Sequence, residues 1–224
     1  MKIIQGFIPG NLRARPGRKM EPKFITVHNT GNTNKGANAR GHAEFLKAGK
    51  SGSTGWHFTV DDKEIIQHIP AGENAYHADD GADGPGNTTS IGIEICENED
   101  GDYRKAEANA VLLIRHLMAE FKIPVENVVQ HRYWSGKYCP HRIIPRWAEF
   151  IETIQGTYTV KEGDTLAAIA GRFELTMEEI VLANPRLKDP DRLSVGDKIK
   201  ITKVEPQARP IPWPPCLTGL KRLF

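Results

Sequence analysis

The chain has 224 residues, of which 39% are hydrophobic and 26% are charged, and its formal net charge is +2. This composition is ordinary for a globular protein and excludes collagen-like and low-complexity classes. The chain has no run of 18 apolar residues, so we expect no membrane insertion. Three cysteines are too few for a disulfide framework. No aromatic-basic platform is present, so we do not expect nucleic acid as a partner.

Strands alternate with helices through residues 1–155. Phe24–Asn29 alternates in β fashion, and Trp56–Val60 with Glu64–Ile69 predicts a hairpin. Ser90–Cys96 alternates strictly, so its isoleucines face one side of the strand and Glu94 faces the other. Helices are predicted over Ala37–Lys47, Arg104–Phe121 and Pro145–Ile154. This order predicts an α/β domain.

A second pattern begins after a seam at Gln155-Gly156. Residues 157–202 predict a small βααβ domain, that is, a strand, two helices and a final strand. Asp164 is the predicted N-cap of the first of these helices, and Thr176 with Glu179 predicts a capping box on the second. Residues 203–224 contain five prolines and predict an irregular tail.

Two histidines and one cysteine stand apart from the other candidates for chemistry. His28 lies at the end of a predicted strand, and Cys139 follows His131 by eight residues, a spacing that lets a loop direct both side chains to one point. Two imidazoles and one thiolate suit Zn²⁺, and three protein ligands leave the fourth position open. From spacing alone, a buried cysteine with two unrelated histidines is an equally good interpretation.

Two charged residues fit beside such an ion. Glu94 is flanked by Gly92, which leaves space for a close approach, and a carboxylate near a metal is a common general base in hydrolysis. Lys137 lies in the same loop as Cys139 and can stabilise a developing oxyanion. The alternatives are an exposed strand glutamate and an ordinary surface lysine.

Five motifs follow one another along the chain, namely TVHNTG (26–31), GWHFTVDD (55–62), the stretch from Tyr76-His-Ala, SIGIEIC (90–96) and QHRYWSGKYCP (130–140). In this order, over roughly residues 20–150, they resemble the N-acetylmuramoyl-L-alanine amidase type 2 family. The resemblance implies a central mixed β-sheet flanked by helices. It also implies one zinc ion per chain, with His28, His131 and Cys139 as its ligands.

The same resemblance implies roles for five further residues. Glu94 is implied as the catalytic carboxylate, and Lys137 as the group that stabilises the transition state. Trp56, His57 and His77 lie in the matching motifs, and we predict that they bind substrate. Trp56 stands where phage relatives carry a functional tyrosine, whose phenolic proton an indole cannot supply.

Residues 157–202 resemble a LysM module through TYTVKEGDTLAAIAGRF, the Ala-Asn-Pro element at 183–185 and LSVGDKIKI. LysM modules bind glycans that contain N-acetylglucosamine. The resemblance therefore implies a set of glycan-binding residues, namely Gly163, Asp164, Thr165, Leu166, Asn184 and Pro185. Helix capping by Asp164 and helix termination by Asn184-Pro185 explain those residues equally well.

Together the two resemblances predict a zinc-dependent peptidoglycan hydrolase that cleaves the amide between N-acetylmuramic acid and L-alanine. The expected partners are the glycan strand and the stem peptide, and we expect a monomer. The alternative is a non-catalytic peptidoglycan-binding or recognition protein. The first twenty residues lack the apolar core of a secretory signal, so we expect cytoplasmic synthesis and release at lysis, as for a phage or prophage endolysin.

Overall fold

A computed structural model gives the architecture of residues 2–173, 175–187, 189 and 192–202. The chain divides into two units, Met1–Thr159 and Val160–Phe224. The domain boundaries at residues 155 and 157 stay a prediction, and the tail predicted for residues 203–224 lies outside the described residues. In the part of the chain that the structure describes, no helix combines the length and the apolar character needed to cross a membrane.

Six strands form one sheet in the first unit. In chain order they are β1 (Ile3–Gln5), β2 (Phe24–Asn29), β3 (Phe58–Val60), β4 (Ile65–Gln67), β5 (Ser90–Ile95) and β6 (Val128–Gln130). Their spatial order is β1-β4-β3-β5-β2-β6. The hairpin of β3 and β4 is antiparallel and the other pairs are parallel, so the expected mixed sheet is confirmed.

Five α-helices belong to the described part of the same unit. They are α1 (Ala39–Lys47), α2 (Pro85–Thr89), α3 (Tyr103–Phe121), α4 (Arg132–Ser135) and α5 (Trp147–Gln155). Side chains of Asn38 and Asp102 cap α1 and α3 by accepting hydrogen bonds from backbone N–H groups. The predicted helix start at Pro145 is wrong, because Ile144–Arg146 forms a 3₁₀ turn and the α-helix begins at Trp147.

The main apolar core lies between the sheet and α3. Its fully buried side chains include Ile91, Ile93, Ile95, Leu113 and Ile114. Because side chains alternate along a strand, the three isoleucines of β5 turn Gly92 and Glu94 to the opposite face. The core therefore fixes which face of β5 carries the polar chemistry.

Residues 157–202 follow the predicted βααβ order. The elements are β7 (Thr157–Thr159), which ends the first unit, and α6 (Leu166–Arg172), α7 (Met177–Ala183) and β8 (Lys198–Lys200) of the second unit. β7 and β8 pair in a two-stranded sheet. The fold class predicted for this part of the chain is confirmed.

Of the two predicted N-terminal helix caps in this unit, one is wrong and one is confirmed. Thr165, not Asp164, is the N-cap of α6, and its side chain accepts a hydrogen bond from the N–H of Ala168. Asp164 accepts instead from the N–H of Lys161 at 2.7 Å, because its carboxylate closes the preceding turn. The capping box at Thr176 is confirmed.

Neighbouring leucines on α3 provide a matched test of the core. Leu113 is fully buried, whereas Leu112 is 48% exposed. Leu113→Ala should lower the free energy of unfolding by about 2–5 kcal/mol, since it removes buried methyl groups and leaves a cavity. Leu112→Ala should change it by less than about 1 kcal/mol. Urea denaturation followed by tryptophan fluorescence measures both variants, and equal losses would contradict the packing described here.

Candidate metal centre and active site

The candidate site lies where three adjacent parallel strands end. His28 on β2 lies in register with Glu94 on β5, and His131 follows β6 directly. The chain then turns through α4, and the N–H of Arg132 donates to the carbonyl of Cys139 at 3.1 Å. Because carboxyl ends of parallel strands meet at one edge of a sheet, side chains from distant parts of the sequence converge there.

The three predicted ligands converge on one point. The Nδ1 atom of His28 lies 3.0 Å from Nδ1 of His131 and 3.8 Å from Sγ of Cys139. The donor atoms of all three residues lie within 4.8 Å of one another, and all three residues are buried. Zinc–nitrogen and zinc–sulfur lengths place tetrahedral ligands about 3.3–3.6 Å apart. The donor types and their spacing therefore fit a zinc ion.

Burial controls the charge of these donors. Desolvation lowers the pKa of His28 well below its ordinary value, and neighbouring histidines lower it further. Desolvation also lowers the pKa of His131. Burial raises the pKa of the Cys139 thiol to about 12. The two rings are therefore uncharged and can offer lone pairs, whereas the sulfur becomes a thiolate only beside a cation.

Glu94 lies next to the three ligands. Its Oε1 atom is 3.9 Å from Nδ1 of His28, and its Oε2 atom is buried without a hydrogen-bond partner among the described residues. Desolvation raises the pKa of Glu94 to about 8, against the opposing charge of Lys137. A buried carboxylate oxygen without a partner can exchange a proton with a molecule bound beside it.

Lys137 is held by a residue that the sequence analysis missed. Its Nζ atom donates to Oδ2 of Asp79 at 3.0 Å, and the same oxygen lies 3.3 Å from Nε2 of His131. Asp79 has a φ of 57°, in the left-handed region that favours glycine. Its one signal in the sequence is that it closely follows the Tyr76-His-Ala stretch. Asp79 thus connects a predicted ligand to the predicted oxyanion stabiliser.

A cavity of about 240 Å³ joins these groups. Its lining includes the three predicted ligands together with Glu94 and Lys137. The five residues to which the sequence analysis assigned chemistry are therefore brought together in one concave site, which is the usual form of a small-molecule or catalytic site.

Two of the three predicted substrate contacts are engaged within the fold. Trp56 lines the cavity, but its Nε1 donates to Oγ1 of Thr59 at 2.7 Å and its ring is largely buried in an apolar cluster. His57 is fully buried, with Nε2 2.9 Å from the carbonyl of Glu73, and Nδ1 accepts from the N–H of Gly92 at 2.9 Å. Since both of its nitrogens bind backbone groups, His57 is not positioned to contact a molecule in the cavity.

His77 lines the cavity and contacts a predicted ligand. Its Nδ1 atom lies 3.0 Å from Nε2 of His28, and its Nε2 atom lies 3.1 Å from the carbonyl oxygen of Ser90. A Cβ atom on Gly92 would come within 2.7 Å of the His77 ring. The space that glycine leaves beside Glu94 is therefore filled by His77. Desolvation lowers the pKa of His77 to about 3, so its ring is uncharged.

Three of the predicted glycan-binding residues stabilise the second unit. Thr165 caps α6, and Leu166 is buried. The side chain of Asn184 donates to the carbonyl of Lys200 at 2.9 Å and accepts from its N–H at 2.8 Å. These contacts connect the end of α7 to β8 and account for the asparagine without a ligand.

The other three predicted glycan contacts lie in turns. Gly163 and Pro185 are exposed, and Asp164 is half-buried. A cavity of about 790 Å³ in this unit is lined by Pro185 and Asn184, but not by residues 163–166. Glycan binding by the six residues stays a prediction.

Comparison with known proteins identifies both parts of the chain. Residues 18–142 match the N-acetylmuramoyl-L-alanine amidase family, and residues 158–202 match the LysM domain. The chain is 49% identical over 218 residues to N-acetylmuramoyl-L-alanine amidase XlyA of Bacillus subtilis (strain 168), covering 96% of this chain and 72% of XlyA. It is 53% identical over 157 residues to N-acetylmuramoyl-L-alanine amidase CwlH of the same strain, covering 70% of this chain and 62% of CwlH.

Solved structures agree with these sequence matches. The catalytic domain of XlyA superposes with a TM-score of 0.67 at 56% identity, covering 69% of this chain and 99% of that domain. PlyL superposes with a TM-score of 0.62 at 42% identity, covering 69% of this chain and 97% of PlyL. The family resemblance of the motifs is thereby confirmed. The chain is an enzyme of the N-acetylmuramoyl-L-alanine amidase family and carries a LysM domain.

Proposed function

We propose that this enzyme is a zinc-dependent hydrolase that cleaves the amide bond between the lactyl group of N-acetylmuramic acid and L-alanine in peptidoglycan. The observation that carries the proposal is the convergence of His28, His131 and Cys139 beside the carboxylate of Glu94. The family match and the relatives XlyA and CwlH, both amidases of this name, support the choice of substrate.

Zinc is the ion that this donor set favours. Two imidazole nitrogens and one sulfur suit zinc, and a site with three protein ligands keeps the open position that distinguishes catalytic from structural zinc sites. A bound zinc ion supplies Lewis acidity, which lowers the pKa of water and polarises an amide carbonyl. The ligands come from a single chain, so a monomer with one ion is sufficient.

The acid–base and charge-stabilising steps belong to side chains of the cavity. Glu94 accepts a proton from the attacking water and returns it to the leaving amine of L-alanine, since its Oε2 atom has no partner among the described residues. Lys137 supplies positive charge where the carbonyl oxygen becomes an oxyanion. Oδ2 of Asp79 accepts a hydrogen bond from Nζ of Lys137 at 3.0 Å, so the ammonium is oriented before substrate arrives.

The LysM domain holds the enzyme on its insoluble substrate. Binding to the polymer through a second module raises the effective substrate concentration at the first without any new catalytic contact. Release at lysis is the proposed route to the wall. A structure described as a mutant endolysin from Bacillus subtilis, 57% identical with a TM-score of 0.67, supports it.

Binding without cleavage is the alternative function. A recognition protein built on this fold has no need of a complete set of metal ligands or of an acid–base carboxylate. This chain keeps three convergent donors and Glu94 in one cavity, which favours hydrolysis.

The first prediction concerns the metal. The full chain, purified with sufficient zinc, should contain one zinc ion per chain by elemental analysis. Cys139→Ser should weaken zinc binding at least about tenfold in chelator competition, because a hydroxyl is a poorer zinc ligand than a thiolate. Cys96→Ala removes the other buried cysteine of the described residues, which lies outside the cavity, and should bind zinc as the wild type does. A wild-type chain without zinc would exclude the proposed chemistry.

The second prediction concerns the acid–base residue. Glu94→Gln should slow the release of L-alanine amino termini from purified peptidoglycan by about 10²–10⁴-fold, since proton transfer is lost while zinc binding remains. Glu99→Gln changes an exposed glutamate outside the cavity and should keep the wild-type rate. A Glu94→Gln variant with nearly normal cleavage would rule out Glu94 as the base.

The third prediction concerns anchoring. A chain that ends at Gly156 should lose co-sedimentation with insoluble peptidoglycan, yet cleave a soluble muropeptide at a rate within about twofold of the full chain, since the LysM domain adds no catalytic contact. The solved catalytic domain of XlyA shows that the corresponding part of that relative folds by itself. Equal sedimentation of the two chains would contradict anchoring by the LysM domain.

A further inference from the structure

The contacts of His77 differ from those expected of a substrate ligand. We propose that His77 is a positioning residue that fixes the tautomer of His28, so that Nδ1 of His28 presents its lone pair to the metal. This inference rests on the zinc site proposed above and assigns a specific task to a residue outside the ligand set.

A hydrogen-bond relay runs from the carbonyl of Ser90 through His77 to His28, and it begins at the carbonyl. The oxygen of Ser90 can only accept a hydrogen bond, and it lies 3.1 Å from Nε2 of His77. His77 therefore carries its single ring proton on Nε2. Its Nδ1 atom is left with a lone pair and acts as an acceptor.

His28 is the second ring of the relay. Nε2 of His28 lies 3.0 Å from Nδ1 of His77 and must donate to it, so His28 also carries its proton on Nε2. The lone pair of His28 is then on Nδ1, which is the atom that faces Cys139 and His131. The carbonyl of Ser90 thus determines, through two imidazoles, which nitrogen of His28 is available to a metal.

The neighbouring ligand shows why this choice matters. Nε2 of His131 lies 3.3 Å from Oδ2 of Asp79 but makes no hydrogen bond to any described residue, so contacts within the fold do not fix the tautomer of His131. The two Nδ1 atoms are 3.0 Å apart, so without a metal one of them can donate a hydrogen bond to the other, whereas both must offer lone pairs to hold an ion. If His28 carried its proton on Nδ1, it would donate to His131, and its Nδ1 would have no lone pair for a metal. The relay opposes that competing state.

Packing holds the His77 ring in place. The ring lies against β5 at Gly92, where a Cβ atom would come within 2.7 Å of it. The backbone of His77 is fixed by Asn87, whose Oδ1 accepts from the N–H groups of His77 and Ala78 at 2.7 and 2.8 Å. Both nitrogens of His77 therefore stay directed at their partners.

Two variants of nearly equal size, His77→Asn and His77→Leu, separate this role from packing. Oδ1 of asparagine can take the place of Nδ1 of His77 and accept from His28, whereas leucine has no acceptor. In the full chain, we expect zinc affinity measured by chelator competition to fall about 10–100-fold for His77→Leu and less than about fivefold for His77→Asn. Equal losses in the two variants would assign His77 to packing and overturn the proposal. An increase in KM with unchanged zinc affinity in both variants would assign it to substrate binding.

A second measurement reads the tautomer without metal. Two-bond ¹H–¹⁵N correlation spectra of the full chain, freed of zinc, show which ring nitrogen of His28 is protonated. We expect Nε2 in the wild type and in His77→Asn, and a shift of the proton to Nδ1 in His77→Leu. A wild-type His28 protonated on Nδ1 overturns the relay even if zinc binds. A wild type with the Nε2 tautomer that binds no zinc supports the relay and contradicts the proposed zinc function.

Discussion

Parallel pairing of β2 with β5 and β6 places the chemistry of this enzyme. It aligns His28 with Glu94 and brings the start of the loop after β6, with His131, to the same edge of the sheet. The buried isoleucines of β5 hold that register, because a slip by one residue would turn Glu94 into the apolar core and an isoleucine into the cavity. The convergence of the proposed metal ligands is therefore a consequence of how the core of this sheet packs.

Next to the proposed ligands, histidine rings are held by uncharged backbone groups and not by charged side chains, which would alter the charge around a bound cation. His57 and His77 each direct a ring nitrogen at a carbonyl oxygen, and burial keeps both rings uncharged. The charged groups Lys137 and Asp79 are paired with one another at the cavity wall. This separation of neutral support from paired charge suits the proposed zinc site and its proposed amide substrate.

Hydrophobic periodicity predicted the strands and helices that are long enough to show it. Alternation identified β2, β5 and the hairpin, and helical spacing identified α3. β1, α2 and α4 have only three to five residues each, so periodicity has too little length to act on. β1 also depends on a partner far along the chain, since Ile3 pairs with Ile65.

The site was predictable as far as the motifs reached. They singled out the three convergent donors, Glu94 and Lys137, but the role of Asp79 depends on a turn that brings it to Lys137, 58 residues away. His57 and His77 look alike in sequence, and only their three-dimensional partners separate a residue that binds backbone alone from one that also contacts His28.

Zinc-edge X-ray absorption spectroscopy of the full chain tests the proposed ligand set, because it identifies the atoms around the ion. We expect one sulfur and two imidazole nitrogens in the ligand shell, with the sulfur lost in Cys139→Ser. A shell without sulfur in the wild type, or with more than two imidazoles, would contradict the ligand set of His28, His131 and Cys139.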